Sequence, residues 1–532
     1  MDCPQLPWMI NFHSNKDGTI LNQQYDSAFA TDYVEHLCKL HLDSEAIRFS
    51  FRYRLRRAFI IICSIGPNIT GDALENMLQS GMSIAVIKLA HCTLDQAREL
   101  VLTVRKAVMN FSMKEGRVHS LGIGIDIKGP EIRVGKLKQG EPSEVELIED
   151  MIYVNLKDTK TVMPGDKIHI SNTNNGKISL SAQKIVGSII RCLIENTGKF
   201  SEQAGVSVET ALTIPLLSEE DKEAIEFCAQ EKVSFIFIPY AEQADTITEI
   251  RRILGKQGKA TMIISKIEST AGVYNIDNLI AVSDGILISR VALAAELTPE
   301  KVIIVQKMIT GKCIKNGVPS ILAPSVLHSM STNSAPTNAE IADITSSITD
   351  GVDCFMLSRE TTVGLHPIEA IKTLDKLCRT AEPLMFHSQM FHDLTQTVSP
   401  VEPLYAISIS AVEAALKCNA AAIVVTTVTG RSAKLLARFR PRCPIIAITR
   451  YAHISRMLTM WRAIDPVHYI RRPESQWCKD LEKRVQFGLT HGKKCGYIKA
   501  GDALVIVMGS KMGTGFTNAL KIVYASEYDT YG

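Results

Sequence analysis

The sequence predicts an α/β protein built on a (β/α)8 barrel, with a β-barrel lid domain inserted into it and an open α/β sheet domain after it. Three observations carry this: eight short, β-branched, near-continuous apolar runs; helical stretches between most of them; and one long interval where the rhythm breaks. Apolar runs without alternation are the pattern of parallel strands buried on both faces. The runs are FIIICSIG (59–66), SIAVIKLA (83–90), LGIGIDI (121–127), SFIFIPY (234–240), TMIISKI (261–267), DGILISR (284–290), PSILAP (319–324) and DCFMLS (353–358). LDQARELVLTVRKAVMNF follows the second, ADTITEIRRILGKQG the fourth and PEKVIIVQKMITGKCIKNG the sixth. Eight strands alternating with helices close into a barrel.

Between Asp126 and Ser234 the chain inserts far more than one helix. The stretch 134–214 contains VELIEDMIYVNL, GDKIHISN and GKISLSAQ, with NTNNG as a turn signal, which reads as short alternating strands. A β domain placed there is a candidate lid over the C-terminal face of the barrel. From about residue 400 the α/β rhythm restarts with AAIVVTT (421–427), PIIAIT (444–449) and ALVIVMG (503–509). The expected division is an N-terminal arm (1–56), the barrel (57–129 and 215–392), the lid (130–214) and a C-terminal α/β domain of effector type (393–532).

At 532 residues the chain exceeds what one hydrophobic core supports, so several domains are expected. Charged residues make up 22% and the formal net charge is +3, which argues against a nucleic-acid footprint and for small molecules or protein subunits as partners. The 13 cysteines are odd in number and never form C-x-x-C, which fits reduced thiols in the cytosol. The first 25 residues lack the basic start and apolar core of a signal peptide, and no run is long enough for a membrane span. A cytoplasmic protein without membrane contact is expected.

Lys266 and Glu268 of IISKIES are two apart on one strand and so face the same side, toward the mouth if the C-terminal end of the strand is the active end. From spacing alone a salt-bridged pair near the rim is the better explanation. The segment VVTTVTGRSAKLL (424–436) ends a strand and opens a helix, so Thr427, Thr429, Gly430, Arg431 and Ser432 can surround a phosphate with hydroxyls and amides. Taken locally, an ordinary helix cap accounts for the same residues.

The ordered blocks IICSIGP, DIKGPEIR, IISKIES, TNAE, DCFMLSRET and TGRSA resemble pyruvate kinase, and the resemblance runs from about Tyr33 to the end of the chain. It implies phosphoryl transfer from phosphoenolpyruvate to ADP with Mg²⁺ and usually K⁺, in tetramers that in many animal forms carry a sugar-phosphate effector site. By this resemblance Lys266 is the catalytic lysine, Glu268 the first Mg²⁺ ligand, Arg133 the nucleotide-side arginine and Asp126 the aspartate of the K⁺ site. Trp477, Arg484 and the loop Lys511-Met512-Gly513-Thr514-Gly515-Phe516 match effector elements; only the lysine after the first threonine has changed, to Val428.

The same resemblance exposes losses at the barrel mouth. Where the family has arginine-glycine-aspartate, this chain has Arg290-Val291-Ala292, so the second Mg²⁺ carboxylate is gone and the Mg²⁺ site is weakened. Val86 stands for a substrate arginine, Lys88 for an asparagine, Ala90 for a serine and Ile127 for a threonine, so the K⁺ site is expected to be lost, with the Lys88 ammonium in its place. Pro324 replaces a substrate-contacting threonine, Ser325 and His328 depart from glutamine and glutamate, Asn174-Asn175 replace paired aspartates, and Ala204 replaces a lysine. Asn338 replaces an arginine near a subunit contact. Three readings follow: a working pyruvate kinase that is K⁺-independent; a pseudoenzyme acting as a regulatory or structural subunit in a homo- or hetero-tetramer; and a barrel turned to metal-assisted chemistry on a 2-oxo acid.

Overall fold

The computed structural model describes residues 57–67, 69–129, 132–133, 144–146, 151–155, 163–171, 177–186, 189–196, 199–201, 205–208, 217–385, 387–396, 400–509, 511 and 515–527. Strands β1 (Ile60–Ile65), β2 (Ile84–Lys88), β3 (Gly122–Asp126), β4 (Phe235–Ile238), β5 (Met262–Ile267), β6 (Gly285–Ser289), β7 (Ser320–Ala323) and β8 (Cys354–Leu357) are parallel, and β8 returns to β1 to close the barrel. These are the eight apolar runs of the sequence. Each strand is buried along nearly its whole length because helices cover one face and the barrel interior the other.

Alternation sorts the strand residues into two cores. Ile61, Cys63, Ile123, Ile236, Ile263 and Ile288 pack outward against the helices, whereas Ile62, Val86, Phe237, Ile264, Leu287 and Met356 fill the interior. The helix after β2, α1 (Leu94–Glu115), starts at a capping box in which Thr93 and Gln96 bond each other's backbone N–H, and stops at Gly116 with φ +64°. Two further barrel helices are α2 (Arg290–Glu296), directly after β6, and α3 (Asn338–Thr349), opened by the capping box of Thr337 and Glu340.

The insert after β3 is built of antiparallel strands. Ile132–Arg133, Gly205–Val208, Lys167–Ser171, Lys177–Val186, Ile189–Ile194 and Met151–Asn155 pair in that order, and Lys199–Ser201 pairs with Glu144–Glu146. Among the described residues, the expectation of a closed insert is carried only as far as this six-stranded sheet.

The C-terminal sheet contains β9 (Ala422–Thr426), β10 (Ile445–Thr449), β11 (Ile464–His468), β12 (Ala503–Gly509) and β13 (Thr517–Tyr524), in the order β11-β10-β9-β12-β13. β11 and β13 form its edges, and β13 runs antiparallel. Helices α4 (Arg431–Arg438) and α5 (Trp477–Lys494) belong to this unit. It plugs the bottom of the barrel: Ile60 and Cys354 share a core cluster with Met460, Trp461 and Ile464, and Ala463 N–H donates to Ala58 O at 2.8 Å. A buried ion pair, Arg440 to Asp353 at 2.8 Å, ties the same joint.

All eleven cysteines among the described residues are free. Burial pushes the Cys192 thiol up to about 12 and raises Cys63, Cys228 and Cys313 as well, so these thiols are inert. Among the described residues no helix is long and apolar enough to cross a membrane.

Candidate active site

The polar ends of the inward-facing strand rows meet at the C-terminal mouth of the barrel. Lys88 closes β2 directly opposite Asp126 on β3, and β5 extends its inward row from Ile264 through Lys266 to Glu268. The Lys266 ammonium lies 3.4 Å from Asp126 Oδ1 and 3.4 Å from Glu268 Oε1. Both carboxylates are buried, at 7% and 9% exposure, so this cluster is poorly screened by water.

Glu268 is held from a second side, because the backbone N–H of Tyr240 donates to its Oε2 at 3.0 Å. Tyr240 adopts φ +46°, a left-handed conformation that costs a non-glycine residue energy and here turns its amide toward the site. The three groups from β3 and β5 therefore form a preorganised ammonium between two carboxylates.

The substituted positions among the described residues fall on and just after β2, after β3, on α2 and after β7. Val86 lies one layer below the mouth at 0% exposure, against the face of Gly124, where an added Cβ would come within 3.2 Å of Val86 Cγ2. Ile127 is buried, its N–H donating to Phe237 O at 3.3 Å, and Ala90 sits in the short 3-10 turn Leu89–His91. Val291 and Ala292 are the second and third residues of α2 and are half-buried. Pro324 follows β7, whose Ala323 is in register with Ser289, so Pro324 and α2 border one rim.

Arg290 fixes that rim. Its guanidinium pairs with Asp343 of α3 at 2.6 Å and donates to Ser325 O at 2.8 Å, while Ser325 itself takes φ +64°. Glu360, 1% exposed, accepts from Leu327 N–H at 3.1 Å and Ser358 N–H at 2.8 Å and so anchors the loops after β7 and β8. Tyr240, Asp343 and Glu360 escaped the sequence reading, since their roles depend on backbone amides and on strands distant in sequence. His328 opens a 3-10 turn, His328–Ser331, on the same loop, and Asn338 is an exposed first residue of α3.

Part of the expected site belongs to the insert. The backbone of Arg133 lies opposite Gly205 in its sheet. Asn174, Asn175 and Ala204 lie outside the described residues, as do Met512, Gly513 and Thr514 of the C-terminal loop.

A hard Mg²⁺ ion takes one or two carboxylates, completed by substrate phosphates and water. Glu268 supplies one carboxylate, with Oε1 beside the Lys266 ammonium, and Ala292 supplies none, so the residues fit a one-carboxylate site. For K⁺ the fit fails: Ile127 and Ala90 offer no side-chain oxygen, and Lys88 brings a positive charge beside Asp126.

The C-terminal unit presents a second cluster. Thr427 Oγ1 accepts from Gly430 N–H at 2.9 Å, Thr429 Oγ1 from Arg431 N–H at 3.5 Å, and Ser432 Oγ lies 3.0 Å from Thr517 Oγ1 of β13. Gly430 has φ +82°, and a Cβ there would meet Met457 Cε at 2.8 Å, so this turn requires glycine. Arg431 is exposed and pairs with Glu402 at 2.6 Å. On α5, Arg484 stacks over Trp477 at 4.8 Å and pairs with Asp480 at 3.0 Å. Lys511 is exposed, and Gly515, with φ +87°, turns the chain into β13.

The family description "Pyruvate kinase, barrel domain" matches residues 55–371, and "Pyruvate kinase, alpha/beta domain" matches residues 405–523. The chain is 37% identical over 527 residues to the human protein named pyruvate kinase PKLR, covering 95% of this chain and 90% of that one. It is 33% identical over 488 residues to pyruvate kinase 1 of Trypanosoma brucei brucei, covering 88% and 96%. A pyruvate kinase of Schizosaccharomyces pombe is 31% identical over 493 residues, with 88% and 95% covered. With the closed barrel, the site geometry and these matches over most of its length in agreement, the chain belongs to the pyruvate kinase family.

Proposed function

We propose that this protein retains the binding frame of a pyruvate kinase, for phosphoenolpyruvate and ADP or ATP, while its phosphoryl transfer is severely impaired. The observation that carries this reading is the contrast within one mouth: Lys266, Asp126 and Glu268 are locked together, yet Val86, Ala292 and Pro324 stand where the family pattern has a guanidinium, a carboxylate and a hydroxyl.

The Lys266 ammonium is poised between two carboxylates to meet a migrating phosphoryl group, and Glu268 is the residue that would hold Mg²⁺. Mg²⁺ bound there would neutralise charge on the phosphoryl oxygens. Arg290, Asp343 and Glu360 shape the rim without reaching for substrate, because their polar atoms are spent on one another and on backbone. The insert (130–214) serves as lid with Arg133 on the nucleotide side, and residues 393–532 serve as effector domain.

Removing a single preorganised stabilising group from such a site costs roughly 10²–10³-fold in rate. Three losses that are partly additive predict a kcat/KM at least ~10⁴-fold below that of a working kinase, whose kcat is about 1–100 s⁻¹. A coupled assay of the purified chain with phosphoenolpyruvate, ADP and Mg²⁺ tests this; turnover within tenfold of that range would sink the reading. With Lys88 in the K⁺ position, any residual rate should be indifferent to KCl against NaCl, and selective stimulation by KCl would count against it. A chain of this kind acts as a regulatory or structural subunit, alone or in a hetero-tetramer with an active relative, and co-purification of the two from their native source would support that role.

The turn at Thr427–Ser432 favours a second element of function, binding of a sugar bisphosphate. Its hydroxyls and the amides opening α4 suit a phosphate, and Arg431 is exposed enough to exchange Glu402 for it. Titration calorimetry with fructose 1,6-bisphosphate should show binding; absence of heat at millimolar ligand would remove this element.

A further inference from the structure

At the back of the barrel, far in sequence from the mouth residues, three metal-type donors converge. Asp465 on edge strand β11 and His491 and Cys495 at the end of α5 offer one oxygen, one nitrogen and one sulfur, all within 4.8 Å of one another. His491 Nε2 lies 2.8 Å from Asp465 Oδ2 and 3.6 Å from Cys495 Sγ. The two α5 residues are four apart, so they stand on one face of the helix.

We propose that Asp465, His491 and Cys495 form a binding site for a zinc-class divalent cation, with its fourth coordination position open to the adjoining cavity. It is independent of the function proposed for the barrel mouth. The donor types select the ion: imidazole and thiolate suit zinc and its neighbours in the transition series, whereas Mg²⁺ and Ca²⁺ want oxygen throughout.

The nitrogen–sulfur distance agrees with that choice. With zinc–nitrogen and zinc–sulfur bonds of usual length and a tetrahedral angle, nitrogen and sulfur stand ~3.6 Å apart. That is the separation His491 and Cys495 already have. The corresponding nitrogen–oxygen separation is ~3.3 Å, so Asp465 has to open by about half an ångström as the ion takes the place of the shared proton. The protons at Nε2 and Sγ leave to solvent.

Charge and surroundings point the same way. A carboxylate and a thiolate balance a divalent cation, and the C-terminal end of α5 adds the negative end of a helix dipole. An outer layer of hydrogen bonds is present: Tyr497 Oη donates to Asp465 Oδ2 at 2.6 Å, and Arg117 Nη1 donates to Cys495 Sγ at 3.2 Å. Such partners orient metal ligands and tune their basicity. A cavity of about 360 Å³ adjoins all three donors and leaves room for a water or a small ligand in the fourth position. Arg117, Val118 and His119, which follow α1, also line it, so an ion here would link the C-terminal unit to the barrel.

Cobalt(II) replaces zinc in such sites and reports sulfur ligation by a thiolate-to-metal absorption band, so it is the probe. The chelator-treated full chain, titrated with Co²⁺, should develop that band with one equivalent per chain and lose it when Zn²⁺ is added. Cys495→Ser and Asp465→Asn should abolish it or weaken binding at least tenfold, Tyr497→Phe should weaken it by ~10-fold, and Glu268→Gln should leave it intact. No band in the wild-type chain, or a band unchanged in Cys495→Ser, overturns the site. Should the variants fail to fold, peptide mapping of alkylated wild-type protein decides: Zn²⁺ must slow modification of Cys495 at least tenfold, and unchanged labelling refutes the proposal.

Discussion

On the function proposed above, the barrel mouth and the turn opening α4 are both phosphate sites, and they differ in what they keep of the family pattern. At the mouth, the residues held in place by one another survive, Lys266 with Asp126 and Glu268, whereas the positions that would only touch substrate carry Val86, Ala292 and Pro324. At the C-terminal turn the ligand-facing groups persist, although several also serve the fold: Thr427 caps Gly430, and Ser432 bonds Thr517. A site residue with a second, structural bond is costly to change because its loss leaves a buried partner unsatisfied. One that meets only a ligand has no such cost, so under the proposed loss of turnover such positions are the first to change.

The strongest way to break this comparison is to refill the mouth. Val86→Arg, Val291→Gly and Ala292→Asp together return a guanidinium, a flexible backbone and a carboxylate around an intact Lys266. The combined variant should raise kcat/KM by ~10⁴-fold over the wild-type chain in the coupled assay. Ala292→Asp alone should give the larger single gain, since Ala292 is half-buried at the rim, while Val86 is sealed at 0% exposure and an arginine there must thread past the interior layer. A triple variant no faster than wild type would show that the frame itself is no longer competent.

A second test severs the two regions. Arg440 and Asp353 form a pair that is 4% and 7% exposed, and Asp353 also accepts from Ser320 N–H at 2.9 Å. Arg440→Met leaves the aspartate buried and uncompensated, which costs roughly 3–5 kcal/mol in pairs of this kind. Thermal unfolding should move down by several degrees, and it should split into two transitions if the barrel and the C-terminal unit are coupled mainly through this joint. An unchanged single transition would place the coupling in the apolar cluster around Met460 and Trp461 instead.

The difference between what the sequence revealed and what it hid follows burial. The eight barrel strands and β9, β10 and β12 were readable because burial on both faces writes continuous apolar runs. Edge strands carry no such signal: β11 reads IDPVH, with a proline tolerated only at an edge, and β13 reads TNALKIVY with half its residues exposed or nearly so. The site divides similarly. Lys266 and Glu268 share a strand, so their spacing fixes their facing, but the Tyr240 amide and Asp343 arrive by way of other elements, and nothing local marks them. Asp465, His491 and Cys495 are of the same kind, since the helical pair shows in the spacing while the aspartate comes from a neighbouring strand.

The smallest effect probes the joint through a titration. Lys434 on α4, the helix that opens at the Thr427–Ser432 turn, places its ammonium 4.0 Å from the centre of the Trp461 ring. Burial pushes its amine down to about 8 from 10.5; Asp284 opposes that shift, and Arg251 reinforces it. Between about pH 8 and 10.5 the unfolded chain therefore binds a proton that the folded chain does not. Stability contributed by this site rises with pH across that window, and the cost of burying the charged amine is present in full below it. Relative to Lys434→Met, which lacks the group, the wild-type chain should gain ~2–4 °C of thermal stability between pH 8 and pH 10. Parallel pH profiles for the two proteins would mean that the ammonium reaches solvent, and that α4 is less tightly seated on the barrel than the mouth residues are on one another.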